Sequence, residues 1–209
     1  MMKTKKTMRM VPCVLIAALL GMALTACGTA PARGVGDNVA VPIVGDWFVS
    51  DDSGNGGTST ITMTEIEEGG MPAWHFAGEI TESFEWGFVQ FGFELDDSMR
   101  EIFTSVEAIS FMVRGDGQRY ELLLPSTIVR DYGDFAVSFD TVAGEATRLT
   151  FPLRLFFQPG WAMPVGRLRS ETVTALLWAS NYSIRPGAFE LEIWDVRLYV
   201  PEGTEVPQQ

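Results

Sequence analysis

The chain of 209 residues carries 27 acidic residues against 15 lysines and arginines, and its formal net charge is −12. An acidic surface of this kind repels nucleic acid and anionic headgroups, so no nucleic-acid partner is expected. Hydrophobic residues make up 46% of the chain and include six tryptophans and fourteen phenylalanines. Because burial of such side chains offsets the entropy lost on ordering, the composition excludes a disordered chain and predicts a folded domain.

The first residues have the pattern of a lipoprotein signal peptide. Four basic residues within Lys3–Arg9 precede an apolar run over Val11–Leu24, and the box Leu24–Cys27 places small residues before a cysteine. Such a box fits the pocket of a lipoprotein signal peptidase. A single-pass anchor is the alternative, but the apolar run is shorter than the ~20 residues that span a bilayer. We therefore expect removal of residues 1–26 and a lipid on Cys27. The protein is then anchored in the cell membrane or outer membrane, outside the cytoplasm.

Removal of the signal peptide defines the expected domain limits. The remaining 183 residues suit one domain. Residues 27–44, rich in Gly, Ala, Pro and Val, are predicted as a lipidated tether, residues 45–201 as the domain and residues 202–209 as a tail. The mature chain keeps 11 basic residues against 27 acids, a net charge near −16. The acyl chains, rather than a basic patch, are therefore expected to hold the protein at the membrane.

From Trp47 onward, short runs of β-branched and aromatic residues alternate with polar residues and end at glycine-rich turns. Nine runs are predicted as strands: Thr58–Glu65, Ala73–Thr81, Phe84–Leu95, Val106–Arg114, Gln118–Leu124, Phe135–Asp140, Ala146–Leu155, Thr172–Asn181 and Phe189–Val200. One helix is predicted over Asp97–Thr104, where Met99, Ile102 and Phe103 share a side and Asp96 or Asp97 caps the start. The pattern predicts an all-β sandwich or barrel with one short helix.

Two of these strands combine an apolar face with a mixed face. In Phe84–Leu95 the apolar face holds Val89, Phe91, Phe93 and Leu95, and the mixed face holds Phe84, Trp86, Phe88 and Gln90. In Thr172–Tyr182 the predicted core face holds Val173, Ala175, Leu177 and Ala179, and the mixed face holds Thr174, Leu176, Trp178, Ser180 and Tyr182. Aromatic rings on a mixed face indicate either a ligand surface or a sheet face covered by a second layer.

Several motifs, taken in order, resemble one family. They are Trp47, Gly56-Gly57-Thr58-Ser59, His75-Phe76-Ala77-Gly78-Glu79-Ile80, Gly87-Phe88, the run from Ile109 through Gly115-Asp116-Gly117 to Arg119-Tyr120, Phe135 to Thr141, Gly144-Glu145, Pro152, and Gly187 to Leu191. In this order they are similar to the complex I intermediate-associated protein 30 family, which in turn resembles the family 11 carbohydrate-binding modules. The resemblance covers nearly the whole mature domain.

The resemblance implies a galactose-binding-like fold, a jelly-roll β-sandwich. Between two strand-like runs, Gly115-Asp116-Gly117 is also typical of a hairpin turn. The assembly role of the eukaryotic members lies inside an organelle, whereas Cys27 places this chain outside the cytoplasmic membrane. We therefore carry over the fold and leave the function to the site.

Catalytic machinery is not evident in the sequence. His75 is the only histidine and has no Ser or Asp at a motif spacing, so we expect a structural histidine and no enzyme. Cys13 leaves with the signal peptide and Cys27 carries lipid, so no thiol remains for a disulfide, a zinc site or a nucleophile. The segment from Asp51 and Asp52 to Asn55 resembles half of a calcium loop, but it lacks the closing bidentate Glu. Either no cofactor is expected, or a structural calcium at these three residues.

Two classes of function remain open. One is glycan binding, in which aromatic rings stack on sugars and polar side chains bind hydroxyls; the other is a protein-binding or assembly module of the cell envelope. The candidate binding residues for both are Trp86, Gln90, Arg119, Glu121, Tyr132, Trp161, Trp178 and Tyr182. Three or more of these rings along one open groove indicate a glycan, and a groove filled by the protein's own side chains indicates a protein partner. We favour the glycan.

Overall fold

The computed structural model describes residues 38–85, 87–181 and 186–206. The strands are β1 (Asn38–Pro42), β2 (Phe48–Asp51), β3 (Thr60–Glu68), β4 (Met71–Ile80), β5 (Phe88–Glu94), β6 (Ala108–Gly115), β7 (Arg119–Leu124), β8 (Phe135–Asp140), β9 (Ala146–Pro152), β10 (Ala175–Asn181) and β11 (Gly187–Pro201). One α-helix, α1, spans Asp97–Phe103, and short 3-10 helices span Asp52–Asn55, Leu153–Leu155 and Ser170–Thr172.

The strands form two antiparallel sheets that pack face to face. The six-stranded sheet has the order β3-β4-β11-β6-β9, with β1 also paired to β11. The five-stranded sheet has the order β2-β5-β10-β7-β8. This arrangement confirms the predicted all-β sandwich with one short helix, and each of the nine predicted strands is present.

The predicted helix is also confirmed. Asp96 caps its first turn, because its Oδ1 accepts the backbone N–H of Met99 at 2.8 Å. The same N–H lowers the pKa of Asp96, since it stabilises the ionised carboxylate. Met99, Ile102 and Phe103 are all buried against the sandwich, as their spacing indicates.

The predicted tether over residues 27–44 is wrong for its last part. Asn38–Pro42 forms β1, which continues the line of β4 along β11 and pairs with its final residues. Val41 and Ile43 are buried in the core, at 7% and 5% exposure. The burial of these two β-branched side chains outweighs the Pro and Gly content of the segment, which suggested a linker.

Aromatic side chains fill the space between the sheets. Phe76 of the six-stranded sheet stacks on Phe91 of the five-stranded sheet with ring centroids 4.1 Å apart. Trp178 on β10 is fully buried and contacts both Trp47 and Phe111, with ring centroids at 5.1 Å and 5.2 Å. Rings at these separations bury large areas and attract each other edge to face or offset.

The predicted faces of β5 and β10 have different outcomes. On β5 the predicted core residues Val89, Phe91 and Phe93 are buried in the core, which confirms the face. On β10 the prediction is reversed: Leu176 and Trp178 point into the core, and Leu177 and Ala179 point outward. β10 is the middle strand of its sheet, so small outward residues are also buried, and apolar character does not distinguish the two faces.

Asn38, the first described residue, lies at one end of the sandwich, close to several of the connections between strands. Asn38 pairs with Pro201, and the neighbouring β6 begins where β9 ends, at the pair Ala108 and Pro152. In the other sheet, β7 ends and β8 begins at the same level, and α1 joins the end of β5 to the start of β6. Residues 95–107, 125–134 and 153–174 therefore lie at this end, which we call the Asn38 end.

Candidate functional site

The outward face of the five-stranded sheet carries a row of apolar residues that crosses all five strands. Strand register places them side by side in the order Phe48, Gly92, Leu177, Leu123 and Ala136. Phe157 extends the row beyond β8, because it exchanges two backbone hydrogen bonds with Ala136, at 2.9 Å and 3.1 Å. At the usual strand spacing, the Cα atoms of Phe48 and Phe157 are about 24 Å apart along the row.

The side chains at the two ends of this apolar row are exposed to solvent, whereas the side chain in its middle is buried. Phe48 is 37% exposed and Phe157 is 67% exposed, but Leu177 between them is only 8% exposed. Gly92 keeps the floor low beside Phe48, since a Cβ there would lie 2.1 Å from the carbonyl oxygen of Leu176. The result is a strip with an aromatic ring at each end and a flat aliphatic floor.

A polar row runs beside the apolar row. Its members, in order across the sheet, are Ser50, Gln90, Ala179, Glu121 and Ser138. Gln90 and Glu121 flank Ala179, so their Cα atoms are about 10 Å apart. The small side chain of Ala179 lies between these two polar groups and is itself buried, at 4% exposure.

Glu121 is the electrostatically distinct residue of the polar row. Burial raises the pKa of its carboxyl group, and a hydrogen bond from Ser138 Oγ at 3.4 Å opposes that shift weakly. The ion pairs among the described residues do not include Glu121. A half-buried carboxyl group outside any ion pair can accept hydrogen bonds from a ligand.

An arginine and an aspartate form an ion pair on this face, at the start of β7 and the end of β8. Arg119 Nε and Nη2 donate to the two carboxylate oxygens of Asp140 at 2.8 Å and 3.1 Å. The guanidinium lowers the pKa of Asp140, and the carboxylate raises that of Arg119. Since the pair is solvent-exposed, it orients the guanidinium more than it stabilises the fold.

A shallow depression of about 480 Å³ adjoins the sheet face at the β2 edge. Phe48 and Glu94 line it together with Asp46, Asp96 and Met99. Glu94 lies on the outward face, opposite Ala175 in the register. The strip therefore opens into a concave region at one end, beside an exposed ring.

Of the predicted site residues, the structure brings Gln90, Arg119 and Glu121 together on one sheet face. The placement of Trp178 on an open face is wrong, because its ring is fully buried between Trp47 and Phe111. Trp86 and Tyr182, and likewise Cys27, lie outside the described residues.

Tyr132 and Trp161 lie at the Asn38 end, on the connections 125–134 and 153–174, and not in the rows of the sheet. The candidate rings among the described residues therefore do not line one open groove, which was the expected sign of a glycan site. Tyr132 and Trp161 are both exposed, at 95% and 64%. The two connections are tied together: Asp131 accepts the backbone N–H of Met163, and Gln158 Nε2 donates to the carbonyl of Gly133 at 2.9 Å. These rings are therefore presented by a hydrogen-bonded pair of loops.

Phe48 and Phe157 were not identified from sequence. Phe157 follows Phe156 in a run without alternation, and only the register with Ala136 shows that Phe156 points inward and Phe157 outward. Phe48 begins a strand of only four residues. Neither position gives a periodic signal long enough to assign a face.

The candidate calcium residues have structural partners. Asp52 is fully buried, and its two carboxylate oxygens accept the backbone N–H and the hydroxyl of Ser59 at 2.9 Å and 2.6 Å. Asp51 Oδ1 accepts the N–H of Ser53 at 2.9 Å and so caps the 3-10 helix Asp52–Asn55. A metal group of three or more His, Cys, Asp or Glu side chains is not found among residues 38–85, 87–181 and 186–206. Calcium binding stays a prediction.

His75 lies on the outward side of the other sheet. Its Nε2 is 2.9 Å from Glu190 Oε1, on the neighbouring strand β11. Arg114 forms ion pairs there with Glu68 and Glu192, and its guanidinium lies 5.6 Å from the ring of Trp194. These contacts join strands of one sheet, as expected for a structural histidine and its neighbours.

The Gly115-Asp116-Gly117 motif is a structural joint. Asp116 Oδ1 accepts the N–H of Gln118 at 3.1 Å and the hydroxyl of buried Tyr120 at 3.0 Å, and Oδ2 accepts the N–H of Glu190 at 3.2 Å. One carboxylate thus fixes the β6–β7 hairpin to the start of β11. Burial, the largest cause, and the charge of Asp116 raise the pKa of Tyr120.

Comparison with known proteins identifies the family. The sequence profile described as complex I intermediate-associated protein 30 matches residues 42–193. The match spans most of the chain, so this chain belongs to the complex I intermediate-associated protein 30 family. No curated protein matches the chain individually.

Solved structures show the same fold. The family 11 carbohydrate-binding module of a cellulosomal cellulase from Clostridium thermocellum is 11% identical, with a TM-score of 0.59, over 80% of this chain and 98% of that module. A family 30 carbohydrate-binding module is 14% identical, with a TM-score of 0.50, over 78% and 98% of the two chains. At these identities the likeness shows the fold, a carbohydrate-binding-module β-sandwich. None of the helices in the described ranges is long and apolar enough to cross a membrane.

Proposed function

We propose that this protein is a lipid-anchored, non-catalytic module that binds a glycan on the outward face of its five-stranded sheet. The observation that carries the proposal is the pair of adjacent rows on that face. One row has exposed rings at Phe48 and Phe157, and the other has polar side chains at Gln90 and Glu121. Similarity to carbohydrate-binding modules supports a sugar ligand for a face of this chemistry.

The two rows suit the two kinds of surface on a sugar. The exposed aromatic rings of Phe48 and Phe157 would pack against the C–H faces of pyranose rings. Amide and carboxyl groups at Gln90 and Glu121 bind hydroxyls as donors and acceptors. Because the rows run across the strands over about 24 Å, an extended oligosaccharide fits better than a single sugar.

The cellular setting follows from the signal-peptide pattern. A lipid on Cys27 would hold the module at the cell membrane or outer membrane on the extracytoplasmic side. The glycan is then a polymer of the envelope or of the surroundings. The predicted membrane contact is through lipid, and no nucleic-acid partner is proposed.

A glycan array with the mature protein, purified in detergent, tests the proposal. Binding to at least one class of oligosaccharide is expected, and titration calorimetry with the best ligand then maps the site. Gln90→Ala and Phe157→Ala should each weaken binding by roughly five- to tenfold, as expected for a lost hydrogen bond or stacked ring.

Matched controls lie elsewhere on the surface. Thr62→Ala on the outward side of the six-stranded sheet is the control for the polar change, and Val142→Ala, 59% exposed, is the control for the apolar change. Equal loss of binding in variant and control, or no binding to any glycan, contradicts the proposal.

A second candidate is a protein-binding or assembly module of the cell envelope. Membership in a family described as complex I intermediate-associated favours it. An exposed strip with aromatic ends also suits a protein segment. If Phe157→Ala prevents co-purification of one envelope protein, and no glycan binds, this second function replaces the first.

A further inference from the structure

One stretch of the chain departs from its acidic character. Residues 146–170 contain four arginines and no acidic residue, although the chain carries 27 acids. Three of these arginines, Arg154, Arg167 and Arg169, are exposed. They take part in none of the ion pairs among the described residues. Their charges are available to a partner outside the molecule.

Large side chains are exposed on this stretch and on the connection 125–134, which is hydrogen-bonded to it. Tyr132, Trp161 and Met163 are 95%, 64% and 67% exposed. The backbone that presents them is fixed, since Gln158 Oε1 also accepts the N–H of Val165 at 2.9 Å, and a Cβ at Gly133 would lie 2.2 Å from that of Ala162. We call the set Arg154, Arg167, Arg169, Tyr132, Trp161 and Met163 the arginine–aromatic surface.

The arginine–aromatic surface lies at the end of the sandwich where the chain arrives from Cys27. Asn38 Nδ2 donates to Glu107 at 2.9 Å, and the carbonyl of Glu107 accepts the N–H of Leu153 at 2.8 Å. The first described residue is therefore next to the segment that carries Arg154. Ten residues separate Cys27 from Asn38, and a chain of that length reaches at most about 35 Å.

We propose that the arginine–aromatic surface docks on an anionic phospholipid bilayer and orients the anchored domain. Tyrosine and tryptophan rings prefer the headgroup level of a membrane, and arginines bind lipid phosphates in a bidentate manner. The acyl chains hold the protein at the membrane, and this surface would fix which side of the domain faces the bilayer. The proposal rests on the lipid anchor of the proposed function.

Acids at this end lie on both sides of the arginine–aromatic surface. Asp97 and Glu101 lie on α1, and Asp131, Asp134 and Glu171 lie on the connections that carry the arginines and the rings. The docked orientation therefore has to bring the arginines and rings, rather than these carboxylates, to the anionic headgroups. If the Asn38 end contacts the bilayer, the strands stand upright on the membrane. The outward face of the five-stranded sheet is then perpendicular to the membrane and stays open to solvent.

A fluorescent label on the lipidated protein tests the docking. Cys13 leaves with the signal peptide and the sulfur of Cys27 carries lipid, so Met163→Cys gives a single thiol for an environment-sensitive dye. In vesicles that contain phosphatidylglycerol, the dye at Met163 should show a blue-shifted, brighter emission. Val142→Cys is the matched control, because Val142 is also exposed but lies in the β8–β9 turn at the opposite end.

The arginines are tested in the Met163→Cys protein by changing Arg154, Arg167 and Arg169 to glutamine. Each basic residue near an anionic leaflet contributes about fivefold, so the docking equilibrium should fall by up to about a hundredfold and the blue shift should be lost. Vesicles of phosphatidylcholine alone should give a smaller shift. Identical emission at Met163 and Val142, or a shift that the triple change leaves intact, overturns the docking.

Fatty-acid labelling and glycan titration of the same proteins separate the possible failures. Absence of fatty acid from the protein overturns the anchor and the docking together. Normal labelling with identical emission at the two dye positions overturns the docking alone. Loss of glycan binding with a normal blue shift overturns the glycan site and leaves the docking supported.

Discussion

Trp47 stacks on Trp178 with ring centroids 5.1 Å apart and planes inclined by 26°, which joins the segment before β2 to the middle strand of the sheet. Trp178 is fully buried, and Trp47 also contacts Phe76 at 5.5 Å and Phe93 at 5.1 Å. One indole thus connects the two sheets. The tryptophan that opens the family resemblance is therefore a packing residue.

Truncation of Trp178 should destabilise the whole fold. Trp178→Ala is expected to lower the free energy of unfolding by ~3 to 5 kcal/mol, because it removes a packed ring and leaves a cavity. Trp178→Phe should lower the free energy of unfolding by less than Trp178→Ala. Trp178 Nε1 has no hydrogen-bond partner among the described residues, so removal of this N–H breaks no hydrogen bond. Trp161→Ala, at an exposed position, should stay within about 0.5 kcal/mol. Chemical denaturation measures all three, and a mild effect of Trp178→Ala would contradict its core role.

The sequence predicted the nine long strands and the helix because each has a periodic pattern or a cap. It did not predict the orientation of β10, where Ala175, Leu177 and Ala179 read as a core face although they point outward. These three residues lie on the middle strand and are buried although they point outward, so apolar character alone does not distinguish the two faces of β10.

The binding face was only partly predictable. Gln90, Arg119 and Glu121 follow from alternation along β5 and β7, since every second residue shares a face. Phe48 and Phe157 depend on strand pairing over long sequence separations, such as Phe157 with Ala136. A single sequence contains no signal for that register.

The Asp116 joint should behave as one unit with Tyr120. Tyr120→Phe and Asp116→Ala each remove the hydroxyl–carboxylate bond of 3.0 Å, and each should cost about 1 to 3 kcal/mol, the larger effect belonging to the aspartate. Because both changes break the same bond, the double variant should cost clearly less than the sum of the two. Equilibrium unfolding of the four proteins tests this, and strict additivity argues against the joint.

Lipidation at Cys27 gives a prediction about processing. Metabolic labelling with a radioactive fatty acid should mark the wild-type protein, and detergent should release it from membranes. Cys27→Ser should stay unlabelled and keep its signal peptide, because the peptidase acts on the lipidated cysteine. Cys13→Ser is the matched control and should be processed normally. Equal labelling of the two serine variants would falsify the anchor.

The role of Asp52 can be separated from calcium binding by chelation. Asp52→Ala should destabilise the fold by roughly 2 to 3 kcal/mol, since it leaves the N–H and hydroxyl of Ser59 without their charged acceptor. If Ser59 is the only partner of Asp52, a chelator should leave the melting temperature of the wild type unchanged. If calcium binds at Asp51, Asp52 and Asn55, the chelator lowers that temperature and added calcium restores it.

Glu121 should connect binding with pH-dependent stability. Burial raises the pKa of its carboxyl group in the folded protein, so the protonated form is favoured by folding. Its stabilising contribution is therefore present below the unfolded pKa and is lost as the pH rises through the higher folded pKa. Glu121→Gln, which keeps the shape and removes the charge, should raise the melting temperature at about pH 7 and have little effect at about pH 4.

The same Glu121→Gln change should weaken glycan binding, because a carboxylate that accepts hydrogen bonds from two hydroxyls is replaced by an amide with a single acceptor oxygen. A gain in stability with a loss in affinity is the pattern of a residue retained for binding. Glu79→Gln, exposed on β4 of the other sheet, is the matched control and should alter neither quantity by much. Melting curves at both pH values and calorimetric titration with the array-selected glycan decide the matter. A variant that is less stable at neutral pH, or that binds as tightly as the wild type, removes Glu121 from the site.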